Sequence, residues 1–96
     1  MNKQFILQKL RTLKPALQEK YGVSELALFG SYSRDEQTSE SDIDIMIDFN
    51  KPVGIEFFDV VYLLKDLFES TEVQIVSKKA IKEKYYNRLK EDLLYA

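Results

Sequence analysis

Two short stretches of the chain carry the residues best suited to chemistry. The first is the run Gly30–Arg34, and the second contains Asp42 and Asp44. Alternate side chains of a strand point to the same face, so the two aspartates can converge on one point. Carboxylates held that close repel each other unless a proton or a cation lies between them. Because no Lys or Arg occurs between Asp35 and Asp48, a hard divalent cation such as Mg²⁺, which prefers oxygen ligands, is the simplest partner.

The run Gly30–Arg34 is typical of a turn that binds phosphate. It follows an apolar stretch, 26–29, and precedes a predicted short helix or turn that ends near Glu36. Gly30 lets a ligand approach the backbone, and Ser31 offers a hydroxyl and an amide N–H at a helix N-terminus, where phosphate is favoured. The candidate phosphate site and the candidate metal site are therefore neighbours in the sequence.

Each pattern also has a plain structural interpretation. An alternating acidic and apolar strand can be a half-solvated strand, and a Gly-Ser pair can be an ordinary turn. Arg34 can form a surface ion pair with Asp35, Glu36 or Glu40. The combination of the turn with a strand that opens on two alternating aspartates is what favours a nucleotide site.

The pattern Gly30-Ser31-x-x-Arg34 with Ser41-Asp42-x-Asp44 resembles the signature of the minimal nucleotidyltransferases, small members of the DNA polymerase β-like superfamily. The resemblance extends over nearly the whole chain. It implies an α/β nucleotidyltransferase core. It also implies a role as an antitoxin, since such proteins are commonly encoded beside a HEPN-domain toxin, and members of the family transfer AMP to a tyrosine of that toxin.

The resemblance also assigns roles to the residues of the two stretches. Gly30 and Ser31 would hold the triphosphate of ATP or another NTP. Asp42 and Asp44 would bind Mg²⁺ and form the catalytic pair, and Arg34 would contact phosphate or the acceptor. The implied reaction transfers a nucleoside monophosphate to a hydroxyl and releases pyrophosphate.

Gln74 departs from the family pattern, in which the third strand usually carries a third carboxylate. A Gln amide oxygen can be a neutral metal ligand but cannot act as a base near neutral pH. Three alternatives follow. Glu72 could reach in as a substitute, the two aspartates could suffice with water as the base, or transfer could be lost while the chain still neutralises its partner by contact. Asp35 also replaces a usual glycine, which adds negative charge and a less permissive backbone.

Composition narrows the classes of function. The 96 residues, 45% of them apolar, predict a single domain spanning 1–96. The chain has no Cys and no His, which excludes disulfides, thiolate zinc sites and imidazole bases. No apolar run approaches the roughly 20 residues of a membrane span and the N-terminus has no signal-peptide core, so we expect a cytoplasmic protein. A net charge of −2 argues against a general nucleic-acid binder.

The predicted order is helix, strand, helix, strand, helix, strand, helix, which gives a small mixed sheet flanked by helices. We expect the first helix to break or kink near residue 14 because of Pro15, with a second short helix to Lys20 and a stop at Gly22. The other predicted elements are strands at 24–29, 42–49 and 72–76 and helices at 55–69 and 79–95. For Gly30 to meet Asp42, the first two strands should run antiparallel.

The helix at 55–69 is apolar on more than one side. Its predicted buried stripe leaves Phe58, Tyr62 and Leu63 as a surplus, and we expect that surplus to form an interface with a partner protein or a second copy of the chain. The basic residues of the C-terminal segment predict a solvated helix face, with a partner or phosphate contact as the alternative.

Overall fold

The computed structural model describes residues 1–96, which form three α-helices and four β-strands. The elements are α1 (Lys3–Tyr21), β1 (Val23–Phe29), β2 (Ile43–Phe49), α2 (Glu56–Leu67), β3 (Val73–Ser77), α3 (Glu83–Leu89) and β4 (Leu94–Tyr95). Two single-turn 3₁₀ helices, Lys78–Ala80 and Lys90–Asp92, flank α3. None of these helices combines the length and the hydropathy needed to cross a membrane.

The four strands form one sheet in the order β3-β2-β1-β4. β1 runs antiparallel to β2 and to β4, while β3 runs parallel to β2. The α/β class, the mixed sheet and the antiparallel pairing of the first two strands are therefore confirmed. In this register Phe29 lies opposite Asp44. The C-terminal end of β1 and the N-terminal end of β2 are therefore adjacent at one end of the two central strands.

The core lies on one face of the sheet, beneath α1 and α2. The predicted apolar face of β2 is buried in full, because its side chains at 43, 45, 47 and 49 are all at most 5% exposed. Ile6, Leu10 and Leu17 of α1 and Val60 and Leu64 of α2 are fully buried in the same cluster. Since alternate residues of a strand face opposite ways, this packing fixes Asp44 and Asp48 on the other face of β2.

α1 continues through Pro15, so the predicted break near residue 14 and the separate short helix are wrong. Proline removes one helical hydrogen bond at the carbonyl four residues earlier. That residue, Arg11, is exposed, so its carbonyl can bond to water instead. Leu10 and Leu17 anchor the helix in the core on both sides of the proline. The helix ends at Gly22, which has φ +73°, as predicted.

The predicted continuous helix at 79–95 is also wrong, because this range contains two single-turn 3₁₀ helices, one short α-helix and a strand. The chain is extended at Ile81 and Lys82, α3 has seven residues, and Leu94 and Tyr95 form β4, which the sequence prediction missed. The edge of β1 offers unpaired backbone groups, and a terminal strand satisfies them where a helix cannot. Tertiary pairing therefore overrides the helical spacing of the apolar residues.

α2 lies within its predicted range and carries the expected apolar surplus. Phe58, Tyr62 and Leu63 are 59%, 65% and 39% exposed, and Ile55, which directly precedes the helix, is 81% exposed. The domain leaves these side chains partly exposed, which fits a surface that contacts another molecule. Their role as an interface stays a prediction.

Candidate active site

Gly30 and Asp44 lie in direct contact at the edge where β1 ends and β2 begins. Gly30 has φ +78°, and a Cβ placed on it would lie 2.2 Å from Oδ2 of Asp44. Only glycine fits there, because a side chain would be strained by the backbone angle and would overlap the carboxylate. The predicted phosphate turn and the predicted metal ligand are thus brought together by the pairing of two strands.

Residues 31–35 form a compact turn rather than a helix. The amides of Arg34, Asp35 and Glu36 donate to carbonyls of residues 30–32, which folds the turn on itself. The amides of Ser31, Tyr32 and Ser33 donate to no acceptor in the protein. Consecutive amides that are free to donate form a concave donor surface of the kind that binds phosphate.

The turn is anchored at its centre by buried side chains. Tyr32 is 6% exposed and belongs to the hydrophobic core, while Ser33 is 7% exposed and donates its hydroxyl to the carbonyl of Asp92. Ser31, between them and Gly30, is partly exposed, and its hydroxyl has no partner in the protein. The anchoring leaves the free amides and the Ser31 hydroxyl on a rigid support.

The negative charge of Asp42 acts on Asp44. Burial raises the pKa of Asp44, the charge of Asp42 raises it further, and the charge of Arg34 partly opposes both. A carboxylate in this state is stabilised by an added cation. The carboxylate oxygens of Asp42 and Asp44 are the type of ligand that Mg²⁺ prefers.

Gln74 of β3 lies directly opposite Asp44 in the parallel register of β2 and β3. Glu72 instead forms an ion pair with Lys65 of α2, with 3.5 Å between Nζ and Oε1. No three acidic side chains come together in a group that could hold a metal ion. The structure therefore does not support the alternative in which Glu72 replaces a third carboxylate.

Arg34 is held by two carboxylates. Its Nε donates to Glu36 at 3.0 Å and its NH1 donates to Asp92 at 2.8 Å, and these hydrogen bonds raise its pKa. The predicted ion pair with Glu36 is present, and those with Asp35 and Glu40 are not. Asp92 was missed, because it lies 58 positions away in a segment that the sequence places on a helix.

Asp35 adopts φ +58°, the left-handed conformation in which glycine is favoured. This agrees with the prediction of a backbone that glycine would fit better. The Asp35 carboxylate lies 3.0 Å from Nζ of Lys3 on α1. The positive charge of Lys3 therefore partly balances the negative charge that Asp35 adds beside the turn.

The other carboxylates on this face of the sheet are paired with lysines. Asp48 lies 2.6 Å from Nζ of Lys79, and Glu25, its cross-strand neighbour, lies 2.8 Å from Nζ of Lys78. Both lysines belong to the 3₁₀ helix that follows β3. Two lysines of the basic C-terminal segment therefore balance the negative charges of Asp48 and Glu25.

Comparison with known proteins gives one family for nearly the whole chain. The family model described as nucleotidyltransferase domain matches residues 10–95. A chain of Methanocaldococcus jannaschii, provisionally named a protein adenylyltransferase, is 46% identical over 88 residues, which cover 90% of this chain and 89% of that one. Protein adenylyltransferase MntA of Thermococcus cleftensis is 32% identical over 83 residues, covering 85% of this chain and 83% of its own.

Solved structures share the fold. One that is provisionally described as a minimal nucleotidyltransferase has a TM-score of 0.71 at 22% identity and is matched over 98% of this chain and 95% of that chain. A mutant of the toxin-antitoxin MntA-HpeT has a TM-score of 0.68 at 19% identity, with 99% and 72% covered. At these identities the likeness concerns the fold.

Proposed function

Because the chain belongs to the nucleotidyltransferase domain family, we propose that it transfers AMP from ATP to a hydroxyl of another protein. Relatives named protein adenylyltransferase support AMP as the group and a protein as the acceptor. The toxin-antitoxin that shares its fold supports a partner toxin. From the resemblance to minimal nucleotidyltransferases, we further propose that the acceptor is a tyrosine of a HEPN-domain toxin and that the chain is its antitoxin.

The observation that carries this proposal is the contact between Gly30 and Asp44. It joins the turn with free amide donors to the start of β2, where Asp44 lies and which Asp42 directly precedes. In the proposed complex, Gly30 and Ser31 hold the triphosphate and Arg34 contacts phosphate or the acceptor. Fixed donors of this kind stabilise charge that develops during transfer without having to reorient.

Asp42 and Asp44 would hold Mg²⁺, which supplies neutralisation of the phosphate charge when it is bound. In the transfer itself, the acceptor oxygen forms a bond to the α-phosphorus. The bond from that phosphorus to the β-phosphate oxygen breaks, and pyrophosphate leaves. The hydroxyl proton passes to water, because Gln74 cannot accept it.

The test is transfer of label from α-labelled ATP, with Mg²⁺, onto the protein encoded beside this one. Wild type should transfer label, and ATP should be preferred over the other NTPs. The variant Gln74→Asp should transfer faster, since a third carboxylate could accept the proton. If wild type is silent and Gln74→Asp transfers, the natural chain is a degenerate transferase.

A second candidate function is neutralisation of the toxin by contact alone, with nucleotide bound but not transferred. Gln74 opposite Asp44 favours it, as do the exposed Phe58 and Tyr62 of α2. In this case Phe58→Ser/Tyr62→Ser should abolish both the complex and neutralisation. Tyr85→Ser, which changes an exposed aromatic of α3, is the matched control and should leave both intact.

A further inference from the structure

The last residues of the chain form a strap that runs from the phosphate turn along β1, where it becomes the edge strand β4. We define the strap as residues 90–96. Leu94 and Tyr95 pair with β1, the amide of Ala96 donates to the carbonyl of Leu26 at 2.8 Å, and Lys14 of α1 donates to the Ala96 carbonyl at 2.8 Å. The strap is thus fixed to a strand and a helix immediately after Asp92.

Asp92 contacts two consecutive residues of the turn. Its backbone carbonyl accepts the hydroxyl of Ser33, and its carboxylate accepts NH1 of Arg34 at 2.8 Å. The Asp92 side chain is 25% exposed and that of Arg34 is 42% exposed. Because the strap holds Asp92 in place, the carboxylate is a fixed anchor for the longer and more exposed arginine.

The guanidinium keeps donors to spare after these contacts. Arginine has five N–H donors, and Arg34 uses one toward Glu36 and one toward Asp92, so three remain. Arg34 directly follows Ser31, Tyr32 and Ser33, whose amides donate to no acceptor in the protein. It is therefore held beside this turn with donors still available to an anion.

We propose that Asp92 is a positioning residue, which holds Arg34 so that its free N–H groups face the phosphates of a nucleotide bound at the turn 30–33. This inference rests on the proposed function, because it assigns the phosphates to that turn. A restrained arginine loses less side-chain freedom when it binds an anion than a freely moving one. Asp92 would therefore raise the affinity for the nucleotide, and it would take no part in the chemical step, which the proposal assigns to Asp42 and Asp44.

The experiment measures binding of mant-ATP with Mg²⁺ to the full chain by fluorescence. Asp92→Ala removes the carboxylate and keeps the carbonyl that Ser33 uses. We expect it to weaken binding about threefold to fivefold, the range for a partly exposed ion pair. Glu91→Ala is the matched control, since Glu91 is exposed in the same 3₁₀ helix and pairs with no cation, and it should bind as wild type does.

A double-mutant cycle separates positioning from general destabilisation. In an Arg34→Ala background, Asp92→Ala should have no further effect on mant-ATP binding, because the group it orients is gone. Asp92→Glu, which restores a carboxylate, should recover most of the wild-type affinity. Additive losses, or tighter binding by Asp92→Ala, would overturn the proposal, the latter by showing that Asp92 competes with phosphate.

An NMR measurement tests the anchor without nucleotide. The Nε–H signal of Arg34 should report a restrained side chain in wild type and in Glu91→Ala, and a more mobile one in Asp92→Ala, in which only the hydrogen bond to Glu36 remains. An arginine equally mobile in all three would refute positioning even if the protein binds ATP. By contrast, a restrained Arg34 in a wild-type chain that does not bind mant-ATP would show that the proposed function itself has failed.

Discussion

Asp44 and Asp48 stand on the same face of the same strand, yet their surroundings differ in charge. Asp48 lies 2.6 Å from Nζ of Lys79. Burial alone would raise the pKa of Asp48. Hydrogen bonds from the Lys79 side chain and the Phe49 backbone, together with the charges of Lys79 and Lys78, instead bring this pKa below its usual value. Asp44 has no such partner, and burial with the charge of Asp42 raises its pKa.

The difference shows where the fold leaves negative charge uncompensated. On this face of the sheet, Asp48 and Glu25 each form an ion pair with a lysine. Asp44 beside Gly30 and Asp42 form no such pair, although the charge of Arg34 acts on Asp44. Residual charge next to free amide donors is the arrangement expected where a cation and a phosphate bind together.

The largest effect should come from Gly30→Ala, which places a methyl group against Asp44 at the start of β2. The new Cβ would lie 2.2 Å from Oδ2 of Asp44 at φ +78°, so we expect a loss of about 2–3 kcal/mol of stability in urea unfolding. Nucleotide binding should be lost as well.

Gly22→Ala is the control for that change at the Asp48 end. Gly22 has a similar φ of +73°, but the atoms that a Cβ would meet are side-chain atoms of Asn50 and Lys51, which can move. It should cost about 1 kcal/mol and leave nucleotide binding unchanged. Equal losses in both variants would mean that the contact with Asp44 has no special consequence.

The comparison becomes sharpest when each aspartate is neutralised. Asp44→Asn removes a charge that the fold disfavours and should stabilise the protein by about 0.5–1 kcal/mol, whereas Asp48→Asn breaks an ion pair and should destabilise it by a similar amount. Urea unfolding at neutral pH measures both. Changes of the same sign would refute the distinction between the two sites.

The contribution of Asp48 should also depend on pH. Because its folded pKa is below the usual 3.8, the stabilisation is fully present above pH 3.8 and is lost as the pH falls through the lower folded value. The stability difference between wild type and Asp48→Asn should therefore vanish in stronger acid. A difference that persisted there would have to come from packing and not from charge.

The smallest effect should come from Asp35→Gly. Glycine relieves the φ of +58° but removes the ion pair with Lys3. The two contributions oppose each other, so the net change in unfolding free energy should stay within about 0.5 kcal/mol. A larger loss would show that the Lys3 ion pair is needed to hold the turn against α1.

The sequence predicts the centre of the fold well, because local patterns there agree with the tertiary structure. The alternation of β2 identifies its buried face, and the adjacency of the turn to the aspartates leads to the antiparallel pairing of β1 and β2. In both cases the residues that decide the structure are close in the sequence.

The prediction failed where distant segments decide the outcome. The C-terminal apolar residues have helical spacing, but the open edge of β1 recruits Leu94 and Tyr95 as a strand. The anchoring of Arg34 by Asp92 follows from that strand. At Pro15 the error is the reverse, because a break is predicted where the helix continues. Buried residues of α1 on both sides of the proline keep the helix intact.

The central claim is that the uncompensated charge at Asp44 serves a cation and a nucleotide. Its most direct test is calorimetric titration of Mg²⁺ with a non-hydrolysable ATP analogue into wild type, Asp44→Asn and Asp48→Asn. The account predicts that Asp44→Asn weakens binding by at least about tenfold, as expected for a metal ligand, while Asp48→Asn stays within about twofold of wild type. Equal affinities of Asp44→Asn and wild type, or equal losses in both variants, would contradict it.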